Sequence, residues 1–250
     1  MKLITLNTWG GKVLEPLLSF IKEKENSIDI FCFQEVFKGG TATEANPMQI
    51  KNINPRLYEE IEKLLSNHVG YFSSLYNGEY GLATFVRKDI KVKEDGAIMV
   101  HENSNFPVDE DPDADHNRLL QWFRIEKNSL EYLVANLHGH WTLLKHDTPE
   151  RLAQSQRILG FLKGFNLPKI ICGDFNVRPE TESIRLLEES GLRNLVSESK
   201  IATTRTSLYK FGHIEPYADY IFISPEIELK NFNVLPDEVS DHAPLYLEFE

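Results

Sequence analysis

Short apolar runs recur along this chain, and several of them stop at, or start from, a chemically capable side chain. Leu3-Ile4-Thr5-Leu6 ends at Asn7, Ile30-Phe31-Cys32-Phe33-Gln34 ends at Glu35, and Tyr132-Leu133-Val134-Ala135-Asn136-Leu137 ends at His138. Lys169-Ile170-Ile171-Cys172 runs into Gly173-Asp174-Phe175-Asn176. Two further runs begin with the polar group: Asp219 precedes Tyr220-Ile221-Phe222-Ile223, and Ser240-Asp241-His242 precedes the run 243–249. Short runs of this kind read as strands, and strand ends are where a rigid scaffold presents chemistry. If all six polar ends meet, the last two strands must run opposite to the earlier four. Mixed sheets converging on one edge follow.

Caps and first-turn prolines predict helices over 15–24 with Pro16 early, 55–66 behind Asn54, 149–163 behind Thr148 and 182–189 behind Thr181. Segments 70–76 and 80–87 flank an Asn77-Gly78 hairpin signal, and 119–125 pairs with 130–137 across Lys127-Asn128. Helices interleaved with so many hairpins favour antiparallel or mixed sheets over a doubly wound parallel one.

A chain of 250 residues with 41% hydrophobic residues suits one globular domain, 1–250, that buries roughly 70–75% of its unfolded surface. Pro and Gly are dispersed, and no linker or repeat is visible. Lys2-Leu3-Ile4-Thr5-Leu6 enters a strand at once, so no signal peptide is expected, and no run approaches the ~20 apolar residues of a membrane span. Cys32 and Cys172 sit inside strand runs without a cationic neighbour, which predicts buried, reduced thiols and a cytoplasmic monomer without membrane partners. The formal charge is −11, with 38 acidic against 27 basic residues. Proteins that grip long nucleic acids carry a basic face or tract, so this balance disfavours a polyanionic partner.

The chemistry-bearing motifs, in order, are Asn7 in Leu-Asn-Thr-Trp-Gly, Gln34-Glu35, Asn136-Leu137-His138, Gly173-Asp174-Phe175-Asn176, Tyr217-Ala218-Asp219-Tyr220 and Ser240-Asp241-His242. Any one tetrapeptide arises by chance, but this ordered set along the whole chain resembles the endonuclease/exonuclease/phosphatase superfamily. That superfamily comprises Mg-dependent phosphoesterases related to pancreatic-type deoxyribonuclease, abasic-site endonucleases and neutral sphingomyelinases. The resemblance implies an α/β fold, a four-layer α/β/β/α sandwich of two packed mixed sheets. It also implies hydrolysis of a phosphate ester with Mg²⁺ or Mn²⁺.

The residue types agree with that chemistry. Glu35 and Asp241 are hard oxygen donors, Asn7 offers a carbonyl oxygen, and oxygen-rich sites suit Mg²⁺ or Mn²⁺. Asp174 can orient or deprotonate water beside an amide, Asn176, that bonds the phosphate or the nucleophile. A lone histidine beside a strand is ordinarily structural; His242 differs because Asp219 can hold one ring nitrogen while the other faces phosphate. The resemblance assigns His242 that catalytic role and makes His138 a phosphate contact.

Arg118 stands where relatives often carry a phosphate-reaching arginine, with a surface salt bridge as the alternative. Trp9 and Trp141 can stack on a substrate or pack in the core, and His140, Arg205, Tyr209 and Lys210 are further substrate-binding candidates, the last three in a long polar segment, 197–215. The acidic stretch 102–115, with Glu102, Asp109, Glu110, Asp111, Asp113 and Asp115, is either a solvated loop or part of a flap over 101–117 that restricts the substrate to small phosphates. A calcineurin-like binuclear phosphatase lacks its motifs here: there is no Asp-X-His near the N-terminus and no Asn-His-Glu/Asp. A catalytically inactive binding domain is the reading from another class, and retention of the whole polar set argues against it. The favoured substrate is a small soluble phosphodiester or phosphomonoester, with DNA or RNA cleavage as the alternative.

Overall fold

The computed structural model describes residues 1–40, 52–76, 78–103, 116–142 and 144–250. Asn77 of the hairpin signal and residues 104–115 of the expected flap lie outside the described residues.

The first sheet is built from β1 (Lys2–Asn7), β2 (Ile30–Phe37), β3 (His68–Tyr76), β4 (Tyr80–Arg87), β11 (Leu229–Val234) and β12 (Leu245–Phe249). Their order is β11-β12-β1-β2-β4-β3. The second sheet holds β5 (Lys91–His101), β6 (Arg118–Lys127), β7 (Leu130–His138), β8 (Lys169–Asp174), β9 (Arg193–Asn194) and β10 (Asp219–Ile223), ordered β5-β6-β7-β8-β10-β9. Each sheet has one parallel pair at its centre, β1 with β2 and β7 with β8, and every other pairing is antiparallel. β10 runs against β8 and β12 against β1, the reversal that convergence of the polar ends demands. The parallel pairs are fully buried continuous apolar runs, as strands covered on both faces should be.

The sheets pack face to face over a core that includes Leu3, Ile30, Cys32, Leu133, Ala135, Ile171 and Leu247. Helices α1 (Leu14–Lys24) and α2 (Leu57–Leu64) cover the outer face of the first sheet through Leu17, Phe20, Ile21, Leu57 and Ile61. α3 (Pro149–Leu162) and α4 (Glu182–Glu189) cover the second through Ile158, Leu162, Ile184 and Leu187. The result is the expected α/β/β/α sandwich. Cys32 and Cys172 are free and buried, and burial pushes the Cys32 thiol well up.

The interior also holds a polar bridge between the sheets. Gln34 Nε2 donates to Asn136 Oδ1 at 2.7 Å, Asn136 Nδ2 donates to Thr84 Oγ1 at 3.3 Å, and Thr84 donates to Gln121 Oε1 at 2.7 Å. These residues are fully or almost fully buried. Such a network specifies one relative placement of the sheets, because sliding them would leave buried polar groups unpaired.

α1 starts one residue early, at Leu14, and the second and fourth helices depart further, in start or in cap. The second helix begins at Leu57 rather than residue 55, because Asn54 closes a turn in which its Oδ1 accepts from Arg56 N at 3.0 Å. α4 starts where expected, yet Thr181 does not cap it; Asp147 accepts from Glu182 N and Ser183 N at 2.6 and 2.9 Å instead. The final strand starts at Leu245, since Pro244 has no N–H to give the ladder. Edge elements β9 and β11 and the short α5 (Leu195–Glu198) had no predicted counterpart. The two ends of the chain lie side by side: the Met1 amine donates to Phe249 O, and Phe249 N returns a bond to Met1 O at 2.9 Å.

Candidate active site

The polar ends of β1, β2, β7, β8, β10 and the segment before β12 meet at one edge of the sandwich, around the Asp174 carboxylate. Asp174 Oδ2 accepts from Asn7 Nδ2 at 2.9 Å and lies 3.8 Å from His138 Nε2 and 3.7 Å from His242 Nε2. Asp174 Oδ1 accepts from Asn176 N at 2.9 Å, a local turn that holds Asn176 at a left-handed φ of 58°. Asparagine tolerates that conformation better than most residues.

Glu35 enters through a bulge. The register of β2 on β4 shifts between Phe33 and Val36, and Glu35 has a φ of 56°. Thr8 braces this distortion: its hydroxyl donates to Gln34 O at 2.8 Å and to Glu35 O at 3.1 Å. A bulge lets adjacent side chains serve different places, so Gln34 enters the inter-sheet network while Glu35 faces the site. Glu35 Oε1 accepts from Asn7 Nδ2 at 3.1 Å and lies 3.9 Å from His138 Nε2.

His242 Nδ1 lies 2.8 and 3.0 Å from the two carboxylate oxygens of Asp219, and Arg205 Nη1 meets Nε2. A guanidinium only donates, so Nε2 carries no proton and the ring is the Nδ1–H tautomer. Burial, with Arg205 next, pushes His242 down to about 4, and burial pushes Asp219 up to about 7. Asp219 is itself held by fully buried Thr204, whose Oγ1 accepts from Asp219 N at 3.2 Å. Ser240 ties the segment to β1 by donating to Asn7 O at 2.7 Å.

Two acids, Glu35 and Asp174, share one amide nitrogen, with Asp241 close enough to act on Glu35. Burial, then Asp241 and Asp174, push Glu35 up to about 7. At about 6 Å and an effective dielectric near 20, each pair of ionised carboxylates repels by on the order of 3 kcal/mol. No lysine or arginine forms a salt bridge with Glu35 among the described residues. Crowded hard oxygens, with Arg205 reaching only Asp241 at 3.9 Å, are the donor set that Mg²⁺ or Mn²⁺ takes. The ligand atoms of Asp174, Asp219 and His242 also lie within 4.8 Å of one another, close enough to hold a metal. In that set, however, Nδ1 and both Asp219 oxygens are already engaged with each other.

One expected donor is turned round. Asn7 Oδ1 accepts from Trp9 N at 2.9 Å, which fixes the amide and aims its NH₂, not its carbonyl, at Glu35 and Asp174. Asn7 therefore orients two carboxylates here.

The weaker candidates divide. Arg118 is buried rather than in a surface salt bridge; it acts on the ionisation of Tyr80, Glu35 and His138, and has Nε and Nη1 without a partner. Arg205 is brought into the site, sandwiched between His242 and the Tyr209 ring, 4.0 Å away. His140 is not brought onto the carboxylates: its ring packs on His101 at 4.3 Å and its N donates to Gln154. Trp9 and Trp141 are half-buried beside Lys12 and Lys145, and Lys210 is exposed. At the base of the expected flap, Asn103 N donates to Asn117 Oδ1 at 2.7 Å.

Lys145 and Arg151 were not anticipated. Lys145 is buried, donates to Asn176 Oδ1 at 2.5 Å, and is pushed down to about 7 by burial, against the pull of Asp174. Fully buried Arg151 donates to the carbonyls of His140, Leu144, His146 and Asn176, pinning the segment after β7 over the site. Neither residue sits in a motif or at a strand end, so nothing in the pattern of the chain marks them.

The chain belongs to the Endonuclease/Exonuclease/phosphatase family, whose model matches residues 4–242. Among solved structures it is similar to a mannosyl-6-phosphatase from Bacteroides thetaiotaomicron, at 21% identity and a TM-score of 0.74, covering 100% of this chain and 99% of that one. The human Nocturnin catalytic domain with bound sulfate is similar at 20% identity and a TM-score of 0.68, covering 100% and 93%. D. rerio TDP2, humanised by 14 mutations, is similar at 14% identity and a TM-score of 0.67, covering 100% and 98%. The search among curated proteins gave no match. Members of the family are hydrolases that act on phosphoester bonds.

Proposed function

We propose that this chain hydrolyses a small phosphate ester by in-line attack of water, assisted by Mg²⁺ or Mn²⁺. The observation that carries this reading is the convergence of Asn7, Asn176, His138 and His242 on the Asp174 carboxylate, with Glu35, Asp219 and Asp241 beside them. Glu35 and Asp241 are the residues that would hold the cation, with Asn7 orienting Glu35. When bound, the cation polarises a phosphoryl oxygen and offsets the charge that develops there.

The protein's own groups account for the remaining steps. Asp174, its Oδ1 fixed by the Asn176 N–H, presents Oδ2 to take a proton from the attacking water. His242 is held by Asp219 so that a proton gained at Nε2 is stabilised across the Nδ1 bond, ready for a phosphoryl or leaving oxygen. His138 Nε2 lies 3.8 Å from the same Oδ2, and burial and Arg118 keep its pKa well below the usual range. The net charge of −11 favours a small substrate over a long polyanion. Structural neighbours named as a mannosyl-6-phosphatase and as a sulfate-bound domain support small tetrahedral anions as ligands of this fold.

A panel of phosphate esters assayed with Mg²⁺ or Mn²⁺ tests the reading. At least one small ester is turned over, excess chelator stops the reaction, and Glu35→Gln removes most of the activity. Full turnover in chelator, or an unaffected Glu35→Gln enzyme, rejects it.

A further inference from the structure

Among the described residues, four cationic side chains are buried at the site, and of these Arg151 alone has its whole guanidinium engaged by the protein. Arg151 is 0% exposed and spends its guanidinium on four backbone carbonyls. The other three are short of partners. Lys145, 1% exposed, donates to Asn176 Oδ1 and lies 5.2 Å from the Trp141 ring centroid, which leaves donor capacity for a further hydrogen-bond partner. Arg205, 7% exposed, reaches His242 Nε2 and stands 3.9 Å from Asp241 Oδ2, while its Nε has no partner. Arg118, 4% exposed, is close enough to the Tyr80 hydroxyl to act on its ionisation and leaves Nε and Nη1 without partners.

These three reach the surroundings of Asp174 through different neighbours. Lys145 approaches through Asn176, Arg205 through His242, and Arg118 from the side of Glu35 and His138, the two groups whose ionisation it influences. Buried donors and buried cations without partners are costly to fold, which points to an anion that completes them. A phosphodiester has a single negative charge and two free oxygens. A phosphomonoester dianion has two charges and three free oxygens, and it matches three cations placed around one carboxylate. The imidazole nitrogen that now meets Arg205 is a weaker partner for a guanidinium than a phosphate oxygen, so substrate would draw Arg205 away and uncover His242 Nε2.

Resting on the hydrolase reading above, we propose that Lys145, Arg205 and Arg118 form a three-cation cradle for a terminal phosphate and make this chain a phosphomonoesterase. Water forms the new P–O bond, the bond to the ester oxygen breaks, and that oxygen leaves as the alcohol after taking up a proton. Lys145 and Arg205 are the new members of this cradle and its specificity-determining residues.

The test compares 4-nitrophenyl phosphate with its methyl diester, which has the same leaving group, in the presence of Mn²⁺. Wild-type kcat/KM for the monoester exceeds that for the diester by about 100-fold or more. Lys145→Gln and Arg205→Gln each lower the monoester value by roughly 10²–10³ and the diester value by at least about tenfold less than that, whereas Lys145→Arg and Arg205→Lys recover most of the loss. Thermal melts confirm that each variant is folded. Equal or greater wild-type activity on the diester, or proportional losses on both substrates, overturns the cradle while leaving the hydrolase reading in place. If neither ester is cleaved, the ester panel above decides the hydrolase reading, and calorimetric binding of inorganic phosphate decides the cradle: about tenfold weaker binding to Lys145→Gln supports it, and unchanged affinity overturns it.

Discussion

A proton on Glu35 or Asp219 changes what the fold has to carry. Both carboxyls are pushed up to about 7, chiefly by burial, from ordinary values of 4.5 and 3.8. Below the ordinary values each group is protonated in folded and unfolded chains alike and costs nothing. As pH rises through 7, the folded protein must ionise groups it holds poorly, so the metal-free protein loses stability across that window. A cation that binds ionised Glu35 reverses the loss. Saturating Mn²⁺ is therefore expected to raise Tm more at about pH 8 than at about pH 5, and Glu35→Gln should flatten the difference. Equal Mn²⁺ shifts at both pH values in differential scanning calorimetry would contradict this account.

The His242–Asp219 pair makes a second claim at this scale. Replacing either residue should cost on the order of 10²–10⁴ in rate, and the double variant little more than the worse single, because the two act as one unit. Steady-state kinetics on the two singles and the double reads this directly. Multiplicative losses, or normal turnover by Asp219→Asn, would show independent roles.

At the level of elements, the segment between β7 and α3 depends on Arg151. Its guanidinium gathers carbonyls from His140, Leu144, His146 and Asn176, and Thr148 Oγ1 caps α3 by accepting from Arg151 N at 3.3 Å. Arg151→Met keeps bulk but strands those carbonyls, with an expected loss of about 3 kcal/mol or more in denaturant unfolding and slower turnover through displaced Lys145 and Asn176. Unchanged stability would mean that the carbonyls find other donors. This segment also marks the limit of what the chain announces in advance. The central strands and their polar ends were readable because buried strands demand unbroken apolar runs, and a polar residue ending such a run stands out. Lys145, Arg151 and the Asp147 cap escaped because their roles depend on loops folding onto distant elements, which leaves no periodic trace. The orientation of the Asn7 amide escaped for a similar reason, since one backbone bond from Trp9 decides it.

For the whole molecule, the site is divided between the two sheets and also between the two ends of the chain. Asn7 sits on the first strand and Asp241-His242 immediately before the last, yet β1 and β12 are neighbours with Lys2 opposite Glu248. Joining residue 250 to residue 1 by a short Gly-Ser linker and opening the exposed turn at Asn128-Ser129 should give a folded permutant whose turnover stays within about threefold of the parent. A folded permutant without activity would show that free ends matter to the site. The adjacency of β1 and β12 bears on synthesis as well. While the chain is still being made, the second sheet can assemble, but its Asp174 has no His242 to face and Asn7 has no Ser240 to fasten it. On the proposed reading, a nascent chain completes its centre only when residues 240–249 have left the ribosome, and a chain truncated before Asp241 is expected to be inactive however well the rest of it folds.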